Sequence, residues 1–329
     1  MRALAPLVDK DGFNSDGEKE IVLAVMGVTG AGKSYFIKQL TGQDVELGHG
    51  LEACTQTVQS IRMRYQNMNV TILDSPGFND TYRTDTDVLL DITSYLSTVY
   101  TQGFKLSGII YLHSISHKKM EGSSRMSLLM FRKLVGDAAL GNVILATTQW
   151  ADVPEADGAK REDELMAKFW KPLVDEGARS VRYKGDHDSA VEIMKMVLAE
   201  PRVVLDIQRE LVDERKPLLE TAAGYTLNEQ LVEMQQKYER QLNLVKEEMA
   251  SKDEAHEELS QIVKQLEDQL ASVRAQHTKM KDRETAAARE SLRVQDQIRK
   301  FTRPFRRRRE TSRRGLADEV EHGDSSLLR

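Results

Sequence analysis

Residues 21–34 run IVLAVMGVTGAGKS, an apolar stretch that breaks into glycines and ends in a lysine and a hydroxyl. Ile21 to Met26 are all apolar with no polar alternation, which predicts a strand buried on both faces. Gly27-Val28-Thr29-Gly30-Ala31-Gly32-Lys33-Ser34 then fits G-x-x-x-x-G-K-[ST], and Tyr35 to Leu40 can continue as a helix. The residue types follow from what a phosphate needs. Glycines at 27, 30 and 32 let the backbone turn its N–H groups inward around an anion. The helix start adds the positive end of its dipole. Lys33 can reach β- and γ-phosphate oxygens, and the Ser34 hydroxyl can ligate Mg²⁺. A glycine-rich turn with no ligand is the competing reading, and the flanking strand and helix argue against it.

Working outward, three more apolar runs resemble the first: 70–73, 108–112 and 143–146. Helical patterns lie between them, over about 85–101, 123–135 and 161–176. A weaker strand follows at 181–183, then a helix over about 189–198. The alternation predicts an α/β fold, a P-loop NTPase sheet lying parallel with helices on both faces. Asp74-Ser75-Pro76-Gly77 directly follows the second run. Asp74 can hold Mg²⁺ through water there, while the Gly77 N–H can sense a γ-phosphate. Residues 41–59 are polar and glycine-rich and precede a strand near 58–65. Thr55 or Thr57 could close on Mg²⁺ and the γ-phosphate, with Thr55 favoured by its spacing from that strand; an ordinary loop hydroxyl is the alternative.

The 329 residues allow about two domains. At 40% hydrophobic and 30% charged, the chain is polar enough to join a core domain to a long solvated element. A lone cysteine, Cys54, excludes a disulfide framework within the chain. There is no secretory signal and no apolar run long enough for a spanning helix, so a cytoplasmic protein is expected, with a nuclear place the alternative. Residues 1–18 look like a loose tail, 19–200 a G domain, and 201–225 a helical extension (Val203 to Leu219) ending in a joint at Thr221-Ala222-Ala223-Gly224. Leu231, Tyr238, Val245, Leu259, Leu266, Val273 and Met280 recur at multiples of seven, with Lys252 the polar member, so a coiled coil is expected over 226–298. A single exposed helix is the alternative. Net charge is −5, yet Arg299 to Arg314 holds nine Lys or Arg against one Glu, +8 locally, leaving −13 elsewhere. That arm suits an anionic membrane surface or nucleic acid, or is a plain tail, and residues 299–329 are expected to be basic, then acidic.

Three stretches carry a resemblance: GVTGAGKSYFI, DSPGFNDT and GIIYLHSISHKKMEGSSRMSLLMFRKLVG. With DIQRELVDE and ETAAG, they make residues 20–225 similar to fungal P-loop G-domain proteins related to AIG1-type GTPases, and more distantly to septins and chloroplast import GTPases. The resemblance implies a Ras-like fold, GTP/GDP and Mg²⁺ binding, and self-association as a homodimer or oligomer. It puts Gly27, Gly32, Lys33 and Ser34 on the phosphates and metal, Thr55 in switch I, and Asp74 and Gly77 at the start of switch II. Val28, Thr29, Gly30 and Ala31 complete the loop. His113, Ile115, Ser116 and Met120 look characteristic of the fungal group, and loop packing is the role expected of them.

Two places depart from that pattern. LATTQWAD, residues 145–152, lies where a guanine-reading loop usually carries Asn or Thr, then Lys, any residue and Asp. Placed on Thr147, Thr148, Gln149 and Trp150, the pattern puts an indole, which only donates, where a carboxylate should accept from guanine. Thr148 and Trp150 are the expected base-side contacts, with Trp150 either stacking on the base or capping the sheet; Asp152 could replace the acceptor if the loop bulges. After Gly77 comes Phe78, which cannot position a water as the Gln of Ras-like proteins does. Asn79, Asp80 and, across a dimer, Arg83 are the polar residues nearby. Slow hydrolysis is expected. The function expected is a GTP-binding switch; an ATP or mixed-nucleotide NTPase, or a coiled-coil scaffold with bound nucleotide that is never turned over, is the alternative.

Overall fold

The apolar runs become the middle of a six-stranded sheet in the order β2-β3-β1-β4-β5-β6. The strands are β1 (Lys19–Gly27), β2 (Gln59–Tyr65), β3 (Met68–Asp74), β4 (Gly108–Ser114), β5 (Val143–Thr148) and β6 (Arg179–Arg182). They come from a computed structural model that describes residues 19–43, 58–80, 83–117, 120, 122–251, 257 and 259–282. Thr55, Thr57, the tail 1–18, residues 283–298 and the basic arm lie outside the described residues. The central strands β4 and β5 are buried at every position, as unbroken apolar runs require. The sheet is mixed, not parallel throughout: β2 pairs with β3 antiparallel. Only Gln66 and Asn67 join them, too few for a crossover, and Gln66 takes φ 53° to close the hairpin.

Alternate residues of β1 feed two cores. Ile21, Leu23 and Val25 belong to one with α1 (Lys33–Thr41) and α6 (His187–Leu198). Val22, Ala24 and Met26 face the other, with α2 (Asp85–Thr101) and α3 (Gly122–Val135). The helix expected over 161–176 starts earlier: α4 (Glu155–Glu164) continues through a π-helical segment, Leu165–Trp170, into α5 (Lys171–Val174). The helix expected over 203–219 is instead short pieces: α7 (Asp206–Gln208), a π turn at Arg209–Asp213 and a 3₁₀ turn at Leu218–Glu220. The π turn ends at Asp213, and the chain then turns through Arg215 at φ 55° before Pro217. No described helix is long and apolar enough to cross a membrane.

The expected joint at 221–224 is a buried helix start. Thr221 is fully buried, and its Oγ1 accepts from the Gly224 N–H at 3.0 Å. A Cβ on Gly224 would lie 1.8 Å from the Leu218 carbonyl oxygen, so only glycine fits there. From this turn α8 (Ala222–Ser251) leaves, and a further helix, α9, covers the described residues 259–282.

Of the coiled coil expected over 226–298, the structure describes residues 226–251, 257 and 259–282. The ion pairs Lys246–Glu267 and Glu239–Arg274 show that α9 runs antiparallel to α8. The heptad residues Tyr238, Leu242 and Val245 meet Val263, Leu266 and Leu270 within one chain. Leu227, Leu231, Val273 and Met280 join the α2–α3 core. A seven-residue repeat specifies an apolar seam, and a helical hairpin satisfies it as well as a second chain does. The unit formed by residues 3–280 holds all these contacts; the other unit, 1–2 with 281–329, is described only at Lys281 and Asp282, in helix.

Candidate nucleotide site

The phosphate loop leaves β1 at Gly27, whose φ is 144°. A Cβ there would sit 2.3 Å from the Leu112 carbonyl oxygen of β4, so glycine is required for the strands to pass this closely. Gly30 and Gly32 take φ 79° and 86°, the latter as the residue that opens α1.

Two side chains of the segment after β5 hold the loop from outside. Thr148 Oγ1 donates to Ala31 O at 2.9 Å, and Gln149 Nε2 to Gly30 O at 2.8 Å. In a trans peptide the C=O and the N–H point in opposite directions. Fixing these two carbonyls therefore turns the Ala31 and Gly32 N–H groups into the loop, where the Val28 carbonyl accepts from Ala31 at 3.2 Å.

Lys33 is 7% exposed and gives its ammonium to the Gly27 and Val28 carbonyls at 3.1 and 3.0 Å. Burial pulls its pKa down to about 8, against the pull of Asp74 and Asp80 towards the charged form. A buried ammonium at a glycine-rich loop that opens a helix fits a polyanion. Ser34 Oγ donates to Asp74 Oδ2 at 3.2 Å, so the hydroxyl and carboxylate expected at Mg²⁺ lie side by side. Among the described residues no three His, Cys, Asp or Glu side chains form a metal cluster.

The segment after β3 lies across the loop. The Thr29 N–H donates to Phe78 O at 3.1 Å, and Thr29 Oγ1 to Asp80 Oδ2 at 3.3 Å. A Cβ on Gly77 would approach the Thr29 nitrogen to 2.4 Å. Phe78 is 3% exposed and packs into the α2–α3 core, so its ring serves the fold. Asn79 donates its N–H to Asp85 Oδ1 at 2.9 Å, and burial holds the Asp85 carboxyl above its usual range despite that bond. Arg83 pairs with Asp91 at 2.7 Å in its own chain.

On the base side the expected pattern straddles the end of β5. β5 ends at Thr148, whose Cα is opposite Ser114 of β4, and Thr147 is a buried strand residue. Of the four pattern positions, Thr147 and Thr148 lie in the strand, and Gln149 and Trp150 follow it. Asp152 closes the 3₁₀ turn Trp150–Asp152. Gln149 takes φ 61°. Trp150 donates Nε1–H to Thr147 Oγ1 at 3.1 Å, carries the Arg182 guanidinium 4.0 Å from its ring centroid, and packs so close to α4 that a Cβ on Gly158 would meet it at 2.7 Å.

The sequence had no argument for the clamp. Gln149 Oε1 accepts from Ser114 Oγ and, at 2.9 Å, from Ser116 Oγ. Arg161 NH1 donates to the carbonyls of Ile115 and Ser116 at 2.9 and 3.1 Å. The two serines of HSIS were visible, but Gln149 lies 35 and 33 residues from them and Arg161 lies 45 from Ser116.

Residues 22–117 match the family described as 50S ribosome-binding GTPase. No curated protein sequence matches the chain. Solved structures with a partly similar fold include Toc33 from Arabidopsis thaliana in complex with Mg²⁺ and GMPPNP, at 16% identity over 60% of this chain and 86% of that one, TM-score 0.44. Another is Era from Aquifex aeolicus bound to GDP·AlF4⁻, at 15% identity over 56% of this chain and 58% of that one, TM-score 0.40.

Proposed function

We propose that the P-loop GTPase G domain of this chain is a guanine-nucleotide switch with slow intrinsic turnover, of the AIG1-related kind its motifs resemble. The observation that carries it is Lys33, a buried ammonium backed by a loop whose carbonyls are tied outward by Thr148 and Gln149. Those residues bind and orient a triphosphate. Ser34 and Asp74 would hold Mg²⁺, which neutralises phosphate charge when bound. Thr29, held by Phe78 and Asp80, places the segment after β3 where a γ-phosphate would disturb it. With Phe78 packed inward no side chain at that position orders the attacking water, and intrinsic hydrolysis is expected at about 10⁻³ s⁻¹ or below. Self-association is the expected partner mode, the arm 299–314 an electrostatic contact with an anionic membrane or nucleic acid, and the cytoplasm the expected place.

Purified full chain, denatured and chromatographed, should release GDP or GTP. In competition against mant-GDP, GTP should displace the probe at least about tenfold better than ATP, a difference of about 1.4 kcal/mol. Recovery of adenine nucleotides, or equal competition by ATP, would sink the guanine reading.

A further inference from the structure

Behind the base loop, the end of β4 and the α4–π segment enclose a cavity of about 290 Å³, near the lower limit for small-molecule sites. Its lining includes His113, Ser114 and Ile115 of the HSIS motif, to which the phosphate site gives no contact with a ligand. His113 is 7% exposed and stacks edge-on against Trp170, with ring centroids 6.1 Å apart. Among the described residues its ring nitrogens have no hydrogen-bond partner, although buried polar groups normally do. Burial, reinforced by His117 nearby, lowers its pKa to about 4. At neutral pH it therefore offers one donor and one acceptor to the cavity.

Arg161 supplies the charge. Its NH1 is fixed by the two carbonyls of the β4 loop. Among the described residues its Nε and NH2 have no protein partner, which leaves a held guanidinium edge for an anion. Glu164, also in the lining, is paired with Lys168 at 2.7 Å, so its charge is countered. The remaining wall is apolar: Met120, Leu165 and Phe169, the last two from the π-helical segment. Such segments are frequent at functional sites.

We propose that this cavity binds a small organic anion, a carboxylate on a flat apolar body, and that its occupancy is coupled to the phosphate loop. The carboxylate meets Arg161 and His113, and the body lies against Phe169 and Met120. Coupling follows a continuous path: Arg161 holds Ser116, Ser116 and Ser114 hold the Gln149 amide, and that amide holds Gly30. The binding site stands alone; the coupling rests on the nucleotide reading above.

The test titrates the full-length Trp150→Phe chain with phenylacetate, its neutral analogue phenylacetamide, and acetate, following Trp170 fluorescence. Saturable binding of phenylacetate is expected with Kd on the order of 1 mM, at least about tenfold tighter than either control. Arg161→Gln and His113→Phe, checked by circular dichroism for an intact fold, should each weaken it by about tenfold. Saturating phenylacetate should change mant-GDP affinity by about threefold or more, and Gln149→Ala should abolish that change. No saturable response, or an equal one to phenylacetamide, overturns the site. Unchanged mant-GDP affinity overturns the coupling. A chain that binds phenylacetate but no mant-GDP would overturn the coupling and the nucleotide reading while supporting the site.

Discussion

The two halves of the nucleotide site are built on different logic. The phosphate half is written into backbone geometry: three glycines in sparsely populated or crowded conformations, one buried lysine and a helix start. The base half is written into side chains that work for the sheet: Trp150 against Arg182 and Gly158, Thr147 under its indole, Gln149 across to Gly30. One half has little tolerance for change in kind. The other has exchanged its usual residues while keeping its grip on the loop.

The sharpest break in that contrast comes from Lys33→Met, which should weaken mant-GDP binding by at least about 100-fold, the scale of a charge-assisted contact. The same residue carries a pH signature. Its folded pKa of about 8 lies below the ordinary 10.5, so between those values the unfolded chain holds more protons. Stability from this group should rise as pH rises through that window, while nucleotide affinity, which needs the ammonium, falls. Both trends should flatten in Lys33→Met, as denaturant melts and titrations at stepped pH would reveal; persistence of either would assign it to another group. Next in size, Gly77→Ala forces a methyl against Thr29 and should cost about 2 kcal/mol in urea unfolding. A wild-type midpoint would refute the close approach.

On the base side the effects should be smaller and of another type. Asp152→Ala should narrow the preference for GTP over ATP by about tenfold, read by competition against mant-GDP. Trp150→Ala should leave that preference within about twofold and lower stability by about 1 kcal/mol, through loss of the Arg182 stack and the Thr147 bond. If instead Trp150→Ala changes the preference and Asp152→Ala does not, the two halves are less distinct than the contrast holds.

What could be foreseen from sequence follows the same division. Glycine spacing and an unbroken apolar run are local requirements, so β1, the loop and α1 were legible, as was α2. The hold of Gln149 on Gly30 was not, because it joins residues 119 apart in the chain. The antiparallel β2 followed from a two-residue turn that has no glycine to announce it. The heptads announced an apolar seam and were silent about whose residues would fill it. Arg161, the fixed charge of the cavity, carried no motif.

The helical hairpin has a practical consequence for anyone trimming this protein. A cut after residue 225 looks natural, since the composition changes there and the expected globular part is complete. Yet Leu227, Leu231, Val273 and Met280 are buried in the same core as Val88, Leu89 and Phe131. The shorter piece would present a bare oily flank from α2 and α3 to solvent and should clump on purification. A fragment that keeps this core must run at least to residue 280, and a boundary drawn on composition would divide it.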